Sequence, residues 1–295
     1  MRVVCSLTTI PKRIDCDRFQ QVLQSIKNQT YPLDEIYLTI PKYYARGKKP
    51  YPDIPECILK YCQVVNIDID YGPITKIVGG LIKETDPETI IITFDDDSIY
   101  PPTIVEELLI GYKNYPNSAI GTAGIIWGKF PSWIALRTYH NTWSSESVKN
   151  WFEIPVNSRV DLVLGVSGVL YIRKFFPTFD KVKTQLLELA LSDPIIFRND
   201  DVLLSCYLNS KNIPRIVVAG SNINVNPSSK DALSSNPLAP LQVLLSYNIC
   251  RKWELVKTEE TIPFMHSFTG ILFIILIIVI IIIVIIIVIC KSINK

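Results

Sequence analysis

The stretch that most restricts the fold is Ile90 to Pro102, IIITFDDDSIYPP. Ile90, Ile91, Ile92, Thr93 and Phe94 carry no charge, are mostly β-branched or aromatic, and run straight into Asp95, Asp96 and Asp97. An apolar run of this kind is expected to form a strand buried on both faces, as in a parallel sheet. Three adjacent carboxylates cannot follow it into the interior unpaired, because each would lose several kcal/mol of hydration. They belong at the strand's carboxyl end, over the crevice where open α/β sheets take their ligands. Side chains alternate along an extended chain, so Asp95 and Asp97 are predicted to face one way and Asp96 the other. Two carboxylates on one side make a hard oxygen site suited to Mg²⁺ or Mn²⁺ shared with a substrate phosphate. Capping the helix after Pro101 and Pro102 would use one Asp, not three.

The flanking segments fit such a sheet. Val3 to Leu7, Glu35 to Ile40 and Val64 to Ile69 read as strands. Phe19, Val22, Leu23 and Ile26 recur at helical spacing, a helix is expected up to Glu84, and Val105 to Tyr112 reads as the next. Strands alternating with helices argue a parallel, doubly wound, Rossmann-like sheet. Tyr43 to Pro55 reads as a surface loop. After Ser118 the expectations are a strand at Ile120 to Trp127, an aromatic-rich connection at Phe130 to Phe152 that includes His140, and strand, glycine turn, strand over Leu162 to Ile172. Helices follow at Lys181 to Leu191 and Val202 to Leu208, then a short strand at Ile216 to Val218. Asn222 to Pro240 is Ser-, Asn- and Pro-rich and reads as a loop.

Charge is nearly balanced, Lys+Arg 30 against Asp+Glu 28, so net charge provides no nucleic-acid surface. Ile271 to Cys290 is a run of twenty apolar residues, about 30 Å as a helix and long enough for a bilayer core. The predicted organisation is a single α/β domain over 1–250, a juxtamembrane linker over 251–269, a transmembrane helix over 270–290 and a short tail over 291–295. Seven cysteines without zinc spacing read as free thiols of a reducing compartment. With no signal-peptide pattern at the start, the expectation is a single-pass C-terminal anchor, a cytosolic domain and an unmodified Asn28-Gln29-Thr30.

Polar elements after several strand ends converge on the crevice: Thr8 to Arg13, Asp70 to Lys76 and the Asp triplet. Gly72 and Pro73 set a tight turn, and Lys76 lies in a helix's first turn, where an ammonium and backbone N–H groups suit phosphate. Together they describe a nucleotide-diphosphate site, with base contacts at Thr8 to Arg13, phosphate near Lys76 and metal at Asp97. Asp200-Asp201 reads either as a general base with its partner or as N-terminal caps for the helix that follows. Gly165-Val166-Ser167-Gly168 would let the backbone approach a ligand closely, or turn a hairpin.

The succession SLTTIPKRI, DYGPITK, FDDDSIYPP, GVSGVLYIRK and RNDDVLLSCYL resembles GT-A type nucleotide-diphospho-sugar glycosyltransferases, most of all the small ones encoded by large DNA viruses. The likeness covers about residues 2–220. It implies a metal-dependent, inverting transfer of a sugar from a donor such as a UDP-sugar to a hydroxyl acceptor. Asp95 and Asp96 would contact the nucleoside, joined by Thr8, Thr9, Pro11, Arg13, Asp70, Gly72 and Lys76. Asp97, with Asp95, would hold Mn²⁺ or Mg²⁺, and Asp201, beside Asp200, would be the base. Two alternatives stand beside it: a haloacid-dehalogenase-like phosphatase, whose acidic motif belongs on the first strand, and a non-catalytic, membrane-tethered carbohydrate-binding protein.

Overall fold

Short runs rich in Val and Ile build the centre of the domain, because β-branched side chains suit a pleated surface better than a helix. The computed structural model describes residues 1–14, 17–126, 156–221, 224–225 and 239–256, and eight strands among them form one sheet. They are β1 (Val3–Thr8), β2 (Glu35–Pro41), β3 (Gln63–Ile67) and β4 (Ile90–Thr93), then β5 (Ala119–Gly121), β6 (Ser158–Arg159), β7 (Val169–Ile172) and β8 (Arg215–Val217). Their order across the sheet is β6-β8-β5-β7-β4-β1-β2-β3. Only β7, between β4 and β5, and the edge strand β6 run against the rest. The sheet is mostly parallel, as expected, and the carboxyl ends of β1, β3 and β4 share one edge.

Five longer helices cover it: α1 (Asp17–Lys27), α2 (Thr75–Lys83), α3 (Ile104–Asn114), α4 (Asp200–Ser210) and α5 (Ala239–Lys252). Alternation along β1 divides the core between the two faces. Val3, Cys5 and Leu7 pack with α1 and α3, whereas Val4 joins α2, α4 and α5. Ile90, Ile91 and Ile92 of β4 are all fully buried, each worth about 1.5–3 kcal/mol. Ser6 lies on the α2 side; its Oγ donates to Lys76 O (2.5 Å) and accepts from Gly80 N–H (3.0 Å). Those bonds fasten α2, and with it Lys76, to the middle of the sheet.

Several elements differ from the sequence reading. Leu162 to Ile172 does not close on itself as a hairpin. Leu162–Val163 pairs with Gly124–Ile125, a 3₁₀ turn spans Gly165–Ser167, and β7 inserts beside β4. The reason is partner choice: two buried sheet neighbours give β7 more hydrogen bonds and apolar contact than a two-strand ribbon would. The strand expected from Ile120 is broken after Gly121 and resumes at Gly124. Tyr43–Tyr44 and Lys49–Pro50 form a small ribbon where a plain loop was expected. α5, hidden from a period-based reading by its weak amphipathicity, continues to Lys252, and Trp253, Leu255 and Val256 pack on the core. Packed residues therefore continue past 250, into the segment read as linker.

Cys5, Cys62, Cys206 and Cys250 are buried free thiols, whereas Cys57 is an exposed one. Among the described residues no helix is long and apolar enough to cross a membrane. The apolar run from Ile271, the aromatic connection with Trp127 to Trp151 and His140, and most of 222–240 lie outside the described residues.

Candidate active site

β4 ends at Thr93, and the chain turns at Asp96 and Asp97 before a short antiparallel pairing of Ser98–Ile99 with Asn224–Val225. The turn breaks the alternation expected of an extended strand. Asp96 and Asp97 both form ion pairs with Arg13, and Asp95 forms one with Lys76, so the ion pairs do not follow the predicted alternation, although the Asp95 charge still acts on Asp97. Arg13 Nη1 donates to Asp96 Oδ1, its Nη2 lies 3.2 Å from Asp97 Oδ2, and Thr9 Oγ1 donates to Asp96 Oδ2 at 2.6 Å. Burial alone would lower the Arg13 guanidinium, but Asp96, Asp97 and Asp95 raise it above its ordinary value, so this corner is an ion pair.

Lys76 does something the phosphate reading did not foresee. Its Nζ is almost completely buried, 2.6 Å from Asp95 Oδ1 and 2.8 Å from Asp200 Oδ2. Burial would strip its charge; Asp200, Asp95 and Asp201 outweigh burial and push it well above its ordinary value. Lys76 thus ties the triplet to the acidic pair, and its ammonium is engaged by carboxylates rather than open to a phosphate. Asn199 occupies the N-cap of α4 without a side-chain cap bond, while Asp200 and Asp201 sit inside the first turn, Asp200 against Lys76 and Asp201 against the Gly165 backbone. Both gain from the positive end of the helix there.

Five carboxylates, Asp95, Asp96, Asp97, Asp200 and Asp201, face two cations, Arg13 and Lys76. The excess negative charge appears in the titration of Asp97 and Asp201. Burial, then Asp95 and Asp96, push Asp97 up to about 6 against the pull of Arg13 and Lys76. Burial and then Asp200 push Asp201 up to about 8, against Lys76 and a hydrogen bond from the Gly165 backbone. Gly165 is needed for space here: a Cβ would lie 2.8 Å from both Asp201 Oδ1 and Lys76 Nζ.

The remaining residues picked from sequence make local contacts in the fold. Thr8 Oγ1 donates to Thr39 O at 2.8 Å, and buried Pro11 belongs to the turn closed by Arg13 N–H to Ile10 O at 2.9 Å. Asp70 Oδ2 accepts Ala45 N–H (2.9 Å) and its Oδ1 accepts Gly72 N–H (2.8 Å), so it shapes the turn at Gly72. Gly72 has φ +76° and packs so close to the segment before α4 that a Cβ would meet Phe197 O at 2.3 Å. Tyr100 was not singled out from sequence. Its buried hydroxyl accepts Asp95 N–H at 2.8 Å and lies 3.4 Å from Val166 O, linking the Asp turn to the Gly165 turn. Its place in the same motif, ahead of the paired prolines, was the available signal. Tyr51, whose hydroxyl donates to Thr9 O at 2.9 Å, had no such signal.

The residues present suit a divalent cation. Their donors are hard carboxylate oxygens and the net charge is short of positive partners. Among the described residues no three His, Cys, Asp or Glu side chains converge to cage an ion. Mg²⁺ characteristically needs no cage, since one or two carboxylates are completed by substrate phosphates and water. Asp97, which meets Ser98 Oγ at 3.5 Å and Arg13 Nη2 at 3.2 Å, is the candidate ligand, with Asp95, whose charge acts on it, as its partner.

No protein-family model and no curated protein matches this chain. Solved structures similar to it include TarS of S. aureus, at 10% identity and a TM-score of 0.49, covering 84% of this chain and 39% of that one. The chain therefore spans well under half the length of TarS. Others are 4-diphosphocytidyl-2C-methyl-D-erythritol synthase of Anaerococcus prevotii (12% identity, TM-score 0.45, 85% of this chain and 98% of that one) and 2-C-methyl-D-erythritol 4-phosphate cytidylyltransferase (IspD) of Francisella tularensis (14%, 0.40, 82% and 98%). The functional reading is carried by the site's own residues.

Proposed function

We propose that the chain is a metal-dependent glycosyltransferase that moves a sugar from a nucleotide diphosphate, a UDP-sugar in the first instance, to a hydroxyl acceptor with inversion. The observation that carries this is the Lys76 bridge, which joins the strand-end carboxylate triplet to the Asp200-Asp201 pair. A triplet alone would be an anchoring site; a carboxyl of raised affinity for protons beside it supplies a base. Asp97 and Asp95 would hold Mn²⁺ or Mg²⁺, which when bound offsets charge on the departing diphosphate. Asp96, Thr9 and Arg13 form the wall where the nucleoside would rest. Asp201, ionised, takes the proton of the attacking hydroxyl, and Lys76 with the Gly165 backbone holds its carboxylate in place.

In the test, full-length protein is incubated with Mn²⁺ and a panel of nucleotide sugars, following nucleotide release and the anomeric configuration of the product by NMR. Transfer with inverted configuration supports the proposal. A retained configuration removes the base role from Asp201, and release of phosphate from phosphomonoesters without sugar transfer would replace the reading with the phosphatase. We also propose that the run at 270–290 anchors the domain on the cytosolic side of a membrane. Protease added to sealed membranes should then digest the domain; survival until detergent is added reverses the topology.

A further inference from the structure

A groove of about 250 Å³ opens between the Ala45–Arg46 loop and the turn that leads into α4. Arg46 and Arg198 give it a cationic edge, and Leu191 and Phe197 an apolar wall. None of the residues assigned to the donor lines it. Arg46 lies over the Tyr44 ring at 5.5 Å, and neither arginine makes an ion pair with a described residue. The groove's acidic lining residue, Asp193, turns Oδ1 to the N–H groups of Ile195 (2.7 Å) and Ile196 (3.3 Å). Two guanidinium forks beside one locally engaged carboxylate leave the groove positive, and such forks match phosphate or carboxylate oxygens.

Its walls are fixed from a single turn. Asp70 Oδ2 accepts Ala45 N–H, its Oδ1 accepts Gly72 N–H, and Gly72 abuts Phe197 O. One turn therefore holds the Ala45 and Phe197 sides of the groove together, next to the start of the helix that carries Asp201. Arg198 precedes Asp201 by three residues, which span at most about 11 Å of chain.

We propose that this groove is the acceptor subsite, and that the acceptor carries an anionic group, phosphate or carboxylate, next to an apolar portion. The inference rests on Asp201 acting as the base. A hydroxyl brought to Asp201 leaves the rest of its molecule along the walls that flank α4, and those walls are Arg46, Arg198, Phe197 and Leu191.

The test measures binding of phenyl phosphate, phenylacetate and phenyl β-glucoside to full-length protein by ligand-observed NMR titration, with wild-type donor hydrolysis measured in parallel. Phenyl phosphate or phenylacetate is expected to bind at least tenfold more tightly than the neutral glucoside, and whichever anion binds better identifies the acceptor's group. Arg198→Gln and Arg46→Gln should each weaken the anion about tenfold, the effect of losing one charge-assisted hydrogen bond. Arg198 is exposed and Arg46 lies outside the core, so both variants should melt with the wild type. Equal affinity for neutral and anionic probes, or anion binding unchanged in both variants, overturns the proposal. If anion binding depends on both arginines but the wild type hydrolyses no nucleotide sugar, the glycosyl-transfer reading falls and the acceptor role falls with it.

Discussion

Replacing Asp201 by Asn should make the protein more stable while disabling it. The Asp201 carboxyl stands at about 8 in the fold against an ordinary 3.8, through burial and the neighbouring Asp200. The sign follows from proton counting: the unfolded chain releases this proton near its ordinary value, the folded chain keeps it until about 8. Stability contributed by the group is therefore lost as pH rises between those values. At pH 7 the difference is about three pKa units, or about 4 kcal/mol at about 1.4 kcal/mol per unit. Asp201 is partly exposed, so solvent screening brings the expected size to about 2 kcal/mol. For a domain of this length that corresponds to about 4–8 °C in Tm. Melting curves of wild type and Asp201→Asn from pH 4 to 8 should coincide at the acid end and separate steadily toward pH 8, with the variant higher. Turnover should fall by about a hundredfold or more, and wild-type kcat/KM should climb with pH toward about 8 as the base ionises. A variant that melts below wild type across the range, or an activity that falls between pH 6 and 8, would refute the reasoning.

Lys76→Met leaves Asp95 and Asp200 facing one another without a buried cation, and should cost about 3–5 kcal/mol in urea unfolding; an unchanged midpoint would mean the bridge neutralises nothing. Asp97→Asn should abolish stimulation by Mn²⁺ and weaken Mn²⁺ binding by isothermal calorimetry, with the domain still folded; wild-type metal dependence would move the cation elsewhere. Gly72→Ala forces a side chain onto φ +76° and into Phe197 O, and should destabilise by more than about 1 kcal/mol. Its turnover should drop further than melting explains, because the segment carrying Asp200 and Asp201 is displaced; equal Tm and kcat in variant and wild type would contradict that packing.

The central strand, its buried isoleucines and the acidic turn that follows were readable because their chemistry is local: β-branched residues with no charge, then carboxylates that cannot be buried unpaired. The same holds for α1 and α3, whose apolar spacing is regular, and for Asp200-Asp201 as one of two candidate acidic elements. Contacts set by distant residues were not readable. Asp70 and Gly72 read as a tight turn, but that Asp70 holds the Ala45 N–H and that Gly72 leaves room for Phe197 O came only with the fold.

By itself, then, the chain's pattern determined which segments are buried, that the layers alternate helix and strand, and that carboxylates gather at strand ends. Periodicity encodes burial residue by residue, and burial is a short-range property of the pattern. The tertiary structure alone decided that β7 runs antiparallel beside β4, that the triplet turns to pair Asp96 and Asp97 with Arg13 and Asp95 with Lys76, and that Lys76 joins two acidic elements far apart in sequence. Those outcomes depend on which pairings across the whole sheet compete successfully, and on how a buried ammonium finds enough negative charge to stay ionised. Neither competition leaves a mark at any single position.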